Sequence, residues 1–256
     1  MGFCIVIPAR HASTRLPGKP LLALAGKPLL QWVYERACGC GADQVVVATD
    51  DQRIADVGVG FGAQVMLTAS THETGTDRIA EVAARCGWSD DQVVVNLQGD
   101  EPLMPAALVR QAAAVLAAHA QADIATLAAP LQDVAALLDP NVVKVVTDRQ
   151  GRALYFSRAP IPWHRDAAPA GLASQRSHEG ACRHIGLYAY RVRALRRLAA
   201  LAPTPLERLE KLEQLRALEH GMDIRVADAQ VLPGPDVNTP DDVARVLPLL
   251  QAQVGA

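Results

Sequence analysis

The chain has 256 residues, half of them hydrophobic and a fifth charged, with a formal net charge of −2. That length buries a sizeable core, and that composition excludes a disordered chain. The small net charge excludes a general attraction to nucleic acid or to an anionic membrane surface, and no apolar run approaches membrane-spanning length. The five cysteines, Cys4, Cys38, Cys40, Cys86 and Cys182, follow no zinc-ligand or disulfide spacing. A reduced, cytoplasmic protein is the expectation.

The run Phe3-Cys4-Ile5-Val6-Ile7 predicts a strand buried on both faces. The loop after it carries Arg10, Arg15 and Lys19, with Gly18 allowing close backbone approach. Arginine forks and a lysine point charge suit phosphate oxygens, so the loop is expected to hold a polyphosphate. It is not a Walker A loop, because no G-x-x-x-x-G-K-[ST] spacing occurs. A solvated basic loop is the plainer alternative.

Helical patterns then alternate with β-branched runs. Helices are expected over Pro28 to Ala37, Asp51 to Val57, Thr76 to Arg85 and Pro105 to His119. Strands are expected over Gln44 to Thr49 and Gln92 to Leu97. Gly58-Val59-Gly60-Phe61-Gly62 follows a helix rather than a strand and reads as that helix's end, not as a nucleotide-binding glycine run. The order implies an α/β fold, a Rossmann-like and mostly parallel sheet flanked by helices. Ligands of such sheets sit at the carboxyl ends of strands. Those ends here are Pro8-Ala9-Arg10, Thr49-Asp50-Asp51 and Gln98-Gly99-Asp100-Glu101. Asp100 could hold a divalent cation or cap the helix that follows. Thr74 to Arg78 could meet a base or simply cap the helix over Thr76 to Arg85.

After Leu138 the pattern changes. Val142 to Val146 and Ala153 to Phe156 flank Asp148-Arg149-Gln150-Gly151, an antiparallel hairpin. Pro160 to Ala181 is rich in Pro, Ala, Gly and Ser and reads as an excursion. His184 to Tyr190 predicts a strand, and Leu206, Leu209, Leu212 and Leu215 predict one amphipathic helix over Leu206 to Leu218. The cluster Arg191, Arg193, Arg196 and Arg197 lacks interleaved aromatics, so a solvated surface or subunit contact suits it better than nucleic acid.

"IPARHASTRLPGKPLLALAGKPLL" resembles the opening of the sugar-activating cytidylyltransferases. Later blocks are similar to the 3-deoxy-manno-octulosonate (Kdo) cytidylyltransferase family: "VVVATDD", "HETGTDRIAEV", "VVVNLQGDEPLM", "NVVKVVTD", "ALYFSRAPIPW", "RHIGLYAYR", "PLERLEKLEQLRAL" and "VNTPDDVARV". The resemblance runs from residue 3 to about 246. It implies a nucleotide-diphospho-sugar transferase type of fold, a single domain over 1–256. Within it, a CTP-binding core of about 1–138 and 224–256 would carry an inserted sugar-binding and dimerisation lobe of about 139–223.

The implied reaction joins CTP and Kdo into CMP-Kdo and diphosphate for lipopolysaccharide synthesis, with Mg²⁺ as cofactor and a homodimer as the assembly. No nucleic acid or membrane partner is implied. By the same resemblance Pro8, Ala9, Arg10, Arg15, Lys19, Thr49, Gly75, Thr76, Arg78 and Gln98 bind CTP. Arg10, Arg15, Lys19 and Asp100 act in catalysis. Gln98, Arg158, His184, Tyr188, Glu213 and Gln214 meet the sugar, though His184, Tyr188 and Glu213 also have ordinary core or surface readings. Asp100 would ligate the metal. The second ligand departs from the family's Val-Asp-Thr-Pro: here the stretch reads Asp236-Val237-Asn238-Thr239-Pro240. Asp236 and Asn238 are expected to share that role, while Asn238 or Thr239 could also cap a last helix opening at Pro240. Two rivals remain at this stage: activation of a related acidic sugar, and a catalytically silent nucleotide-binding regulator.

Overall fold

The computed structural model describes residues 2–11 and 16–254. Arg15, one of the three expected phosphate-binding cations, therefore lies outside the described residues. The chain opens with β1 (Phe3–Ala9), a small antiparallel pair β2 (Ala23–Leu24) and β3 (Lys27–Pro28), and α1 (Leu29–Cys38). Then come β4 (Gln44–Thr49), α2 (Gln52–Gly60), β5 (Gln64–Leu67), α3 (Gly75–Arg85), β6 (Val93–Asn96) and α4 (Ala106–Ala118). Next are β7 (Ile124–Pro130), α5 (Val134–Leu138), β8 (Lys144–Thr147), β9 (Ala153–Ser157) and β10 (Cys182–Arg191). The chain closes with α6 (Val192–Ala199), α7 (Pro205–Glu210), α8 (Gln214–Glu219), β11 (Ile224–Asp228) and α9 (Pro240–Val254).

The main sheet runs β11-β7-β10-β6-β1-β4-β5, with β8 and β9 branching from β10. Every neighbouring pair along the row is parallel except those made by β10, which runs antiparallel to both β6 and β7. Strand residues alternate between two buried faces, as an inner sheet requires. Ile5, Ile7, Val93 and Val95 pack with Val33 of α1, Ile54 of α2 and Leu108 and Leu116 of α4. Val6, Val46 and Val94 face the other way, onto Ile79 and Val82 of α3 and Leu195 of α6. The expected fold class is the one observed.

The helix starts are locally encoded. Asp51 accepts the Arg53 amide at 3.0 Å to start α2. Thr74 and Asp77 cap α3 reciprocally, at 3.1 and 3.0 Å, a capping box within the stretch Thr74 to Arg78. Gly62, just past α2, takes φ +83°, which closes that helix as the glycine run suggested.

Three features differ from the reading of the sequence. β10 falls inside the 139–223 range assigned to the lobe, yet it bonds on both sides within the central sheet. Alternating Ile185, Leu187 and Ala189 on one face with Tyr188 and Tyr190 on the other fits it for that buried place. The single helix expected over Leu206 to Leu218 is two, broken where Lys211 adopts φ +53°. A capping box from Thr204 and Glu207 starts the first, and Arg216 of the second grips Glu207 at 2.8 and 2.5 Å, so side-chain bonding outweighs leucine periodicity. Finally, β5, β7 and β11 carry weak strand signals; Ala125, Ala128 and Ala129 dilute β7 although it is almost wholly buried. No helix among the described residues is long and apolar enough to cross a membrane.

Close backbone approach positions the turn after β6. A Cβ on Gly99 would stand 3.0 Å from the Pro8 carbonyl oxygen at the end of β1. Gly99→Ala is expected to lower stability by about 1–3 kcal/mol, the usual cost of an added methyl without room. Urea denaturation checks this; an unchanged midpoint would mean that the turn yields freely.

Candidate active site

The carboxyl ends of β1, β4 and β6 come together, and with them the charged residues that follow each strand. Lys19 opens a 3₁₀ turn, Lys19–Leu21, behind Gly18 at φ +70°. Its ammonium lies 2.6 Å from Asp100 Oδ2 and 3.3 Å from Asn238 Oδ1. Asn238 turns its amide nitrogen to Asp236 Oδ2 at 2.5 Å. The Val237 amide donates to the Asp100 carbonyl at 2.9 Å, stitching the C-terminal stretch to the turn after β6. The structure thus brings Lys19, Asp100, Asp236 and Asn238 into one cluster from three distant segments.

Glu101 joins the same cluster. Its Oε2 is buried without a hydrogen-bond partner, and burial, then Asp100 and Asp236, push its carboxyl up to about 8. Burial and Asp100 raise Asp236 as well. Asp100 pairs with the Lys19 ammonium, and Glu101 and Asp236 line a pocket with Arg183 and Arg245; carboxylates placed this close are the electrostatic condition a cation relieves. Asp242 serves a different end. It accepts the Asn238 and Thr239 amides at 2.9 and 2.7 Å, while Thr239 Oγ1 accepts the Asp242 amide at 3.3 Å, so Thr239 caps α9 as expected and Asp242 completes a capping box.

Arg10 follows β1 directly. Its guanidinium makes no hydrogen bond, Nη2 is buried, and burial with neighbouring Arg78 holds its pKa below the usual arginine value. A partly desolvated, unpaired guanidinium favours an incoming anion. Arg78 is in the opposite state. It is fully buried and donates to Asp50 Oδ2 at 3.0 Å and to Thr68 Oγ1. Thr49 is likewise buried and accepts the Asp51 amide at 3.2 Å. Arg78 and Thr49 hold the end of β4 in place. Pro8 and Ala9 end β1, and Gly75 lets α3 close on Pro8, with a virtual Cβ 3.4 Å from its Cγ. Gln98 begins the turn, where its carbonyl accepts the Glu101 amide at 3.2 Å.

On the α3 face of the sheet lies a second group of polar side chains. Thr76 donates to Glu213 Oε2 at 2.8 Å, while Glu213 Oε1 is buried without a hydrogen bond and stands 4.0 Å from Arg216 Nη2. Burial raises the Glu213 carboxyl. The Tyr188 hydroxyl and Asn96 Oδ1 are also buried without partners, and Tyr188 stands opposite Asn96 in the sheet. His184 packs edge-on to Phe156 and tilted against Tyr188, each at 5.1 Å, and its Nε2 lies 3.0 Å from Thr126 Oγ1. Burial pulls its pKa down to about 3, so the ring is neutral near pH 7. Gln214, buried, begins α8.

Arg158 is not brought to this group with a free head. Its Nε donates to the Glu210 carbonyl at 2.6 Å and Nη1 to the Pro140 carbonyl at 2.9 Å. It lines instead a cavity of about 500 Å³ with Leu138, Pro140, Ala159, Pro160, Leu172 and Ala173. Asp50 and Asn96 are site neighbours that the sequence reading passed over. Both were visible as polar residues ending β-branched runs, but only the fold shows that one anchors Arg78 and the other is left unpaired.

A sheet whose strand ends carry Arg10, Lys19 and Asp100 suits the transfer of a nucleotide from its triphosphate. The class it defines is a nucleotidyltransferase. A family profile described as cytidylyltransferase matches residues 4–224. A 3-deoxy-manno-octulosonate cytidylyltransferase of Thioalkalivibrio sulfidiphilus is 57% identical over 252 residues, covering 98% of this chain and 100% of that one. One from Pseudomonas fluorescens is 54% identical over 250 residues, covering 98% of each. Among solved structures, a CMP:2-keto-3-deoxy-manno-octonic acid synthetase complexed with CTP superposes with a TM-score of 0.87 at 38% identity, covering 99% of this chain and 100% of that one. The chain belongs to the cytidylyltransferase family, within its 3-deoxy-manno-octulosonate cytidylyltransferase branch.

The raised Glu101 carboxyl has a pH consequence. Its folded pKa of about 8 exceeds the unfolded value of 4.5, so the folded state binds the extra proton between them and stability falls as pH rises through that window. Urea midpoints at pH 5 and pH 8 should fall further in the wild type than in Glu101→Gln. Equal falls in both proteins would remove Glu101 as the cause.

Proposed function

We propose that the protein transfers CMP from CTP to the anomeric hydroxyl of Kdo, releasing diphosphate, and that Asp100, Asp236 and Asn238 hold Mg²⁺ for the reaction. The observation that carries this reading is the meeting of Lys19, Asp100 and Asn238 at the strand ends, in a chain similar along its whole length to enzymes named for that sugar. The donor set fits magnesium. Asp100 Oδ2 and Asn238 Oδ1 face one point, Asp236 lies against the Asn238 amide nitrogen, the orphaned Glu101 Oε2 is adjacent, and burial with like charge raises Glu101 and Asp236. When bound, the ion would supply positive charge to phosphate oxygens and to the attacking hydroxyl.

The chain's own groups do the rest. Arg10 and Lys19 neutralise the triphosphate and the departing diphosphate, where charge accumulates during transfer. Buried Tyr188 and Asn96 offer a hydroxyl and an amide oxygen without hydrogen bonds to sugar hydroxyls, Glu213 Oε1 can accept another, and neutral His184 can hydrogen-bond without adding charge. Their burial excludes water that would compete for these atoms and for the phosphate.

A homodimer is supported by the apolar cavity beside Arg158, near which Leu172 and Trp163 are exposed. The five free cysteines suit the reducing cytoplasm.

Diphosphate release from CTP and Mg²⁺ tests the reading, with Kdo and N-acetylneuraminate supplied separately. Release with Kdo is expected; release only with N-acetylneuraminate would move the sugar assignment, and CTP binding without release would favour a regulator. Asp100→Ala is expected to reduce turnover by about 10²–10³ or more while the melting temperature holds, the scale set by losing one preorganised charge contact. Retained turnover would remove Asp100 from the chemistry.

A further inference from the structure

We infer that Lys19 is the resident counter-ion of the proposed metal site, and that a divalent cation enters only when a triphosphate draws that ammonium away. The inference rests on the metal reading above. The ammonium stands on the oxygens that the metal would use, 2.6 Å from Asp100 Oδ2 and 3.3 Å from Asn238 Oδ1. An ion on the same Asp100 oxygen, at the usual ligand distance, would stand within about 5 Å of the ammonium. Both groups are largely shielded, the Lys19 side chain 14% and the Asp100 side chain 24% exposed, so water screens that repulsion poorly. The two cations compete for one place.

The backbone around Lys19 is not what would have to move. Leu21 and Leu22 donate back to the Gly18 and Lys19 carbonyls at 2.8 and 3.1 Å, closing the 3₁₀ turn. A four-carbon side chain swings from a fixed stem, which is how a lysine can serve a carboxylate in one state and a phosphate in another. The cluster explains why such a placeholder is needed. Asp100 Oδ2 and Asn238 Oδ1 both face the Lys19 ammonium, and Asp236 bonds the Asn238 amide nitrogen, so without Lys19 the part-buried Asp100 carboxylate would lose its cation. Nucleotide and metal then assemble as a coupled pair: phosphate oxygens take Lys19, Asp100 and Asn238 are released, and the ion fills them. By linkage the coupling is reciprocal.

The test is Mn²⁺ binding, followed by loss of the free-ion electron paramagnetic resonance signal, with no nucleotide present. Lys19→Met is expected to bind Mn²⁺ roughly 10- to 100-fold more tightly than the wild type, the range spanned by losing one charge-assisted hydrogen bond. Lys19→Arg keeps the cation and should retain the weak wild-type affinity, which separates lost charge from lost packing. Lys19→Gln replaces Lys19→Met if the latter's melting temperature drops. Equal or weaker binding by the neutral variants overturns the inference. The same titration with CTP added keeps the two failures apart. Binding with CTP, but no gain from neutralising Lys19, removes the counter-ion role alone; no binding in any condition removes the metal assignment with it.

Discussion

Carboxylates gathered at one edge of a sheet must be neutralised, and here the Lys19 ammonium stands against Asp100. The Lys19–Asp100 pair spans 81 residues of sequence, and the Lys19–Asn238 contact spans 219. Lys19 thereby ties the turn after β1 to the turn after β6 and to the stretch before α9, where Val237 also packs on Leu24, Leu29 and Trp32. Placing like charges together costs stability, and a site that tolerates the cost is one built to receive a cation or to be opened by an anion.

Around that cluster the charged residues divide into those with protein partners and those without. Arg78 is committed to Asp50 and Thr68, and Arg216 to Glu207. Lys144, fully buried, donates to the carbonyls of Asp139, Val142 and Arg158 at 2.9, 2.6 and 2.7 Å. Glu210 accepts from Ser157 at 2.6 Å and from the Arg158 amide at 2.8 Å. Lys144, Arg216 and Glu210 hold β8, β9 and the helical turns in place. Arg10, Tyr188 and Asn96 keep buried atoms without a hydrogen bond among the described residues. Buried polar atoms are ordinarily paired, so those left unpaired mark where a ligand completes the structure.

Much of this architecture was legible along the chain. Strand-helix alternation, the polar strand ends and the caps at Asp51 and Thr74 depend on neighbours in sequence, where periodicity and capping chemistry act. Lys19 and Asp100 could be picked out as a cationic loop and a strand-end acid. Elements whose local signal was weak or misleading were harder. Alanine-rich β7 shows little β propensity but is buried by its neighbours, and the leucines from Leu206 to Leu215 suggest a continuity that Lys211 and the Arg216–Glu207 bond break.

The sequence by itself determined the α/β class, the basic opening loop, the acidic strand ends and the family, because each is carried by local pattern or by contiguous motif. Only the tertiary structure decided that β10 enters the central sheet antiparallel, that Arg158 and Arg78 are occupied while Arg10 is free, and that Lys19 stands between Asp100 and Asn238. The physical reason is the same in each case. Whether a charged group is paired, buried or left waiting depends on which distant segments packing brings within hydrogen-bond reach, and spacing along the chain does not carry that information.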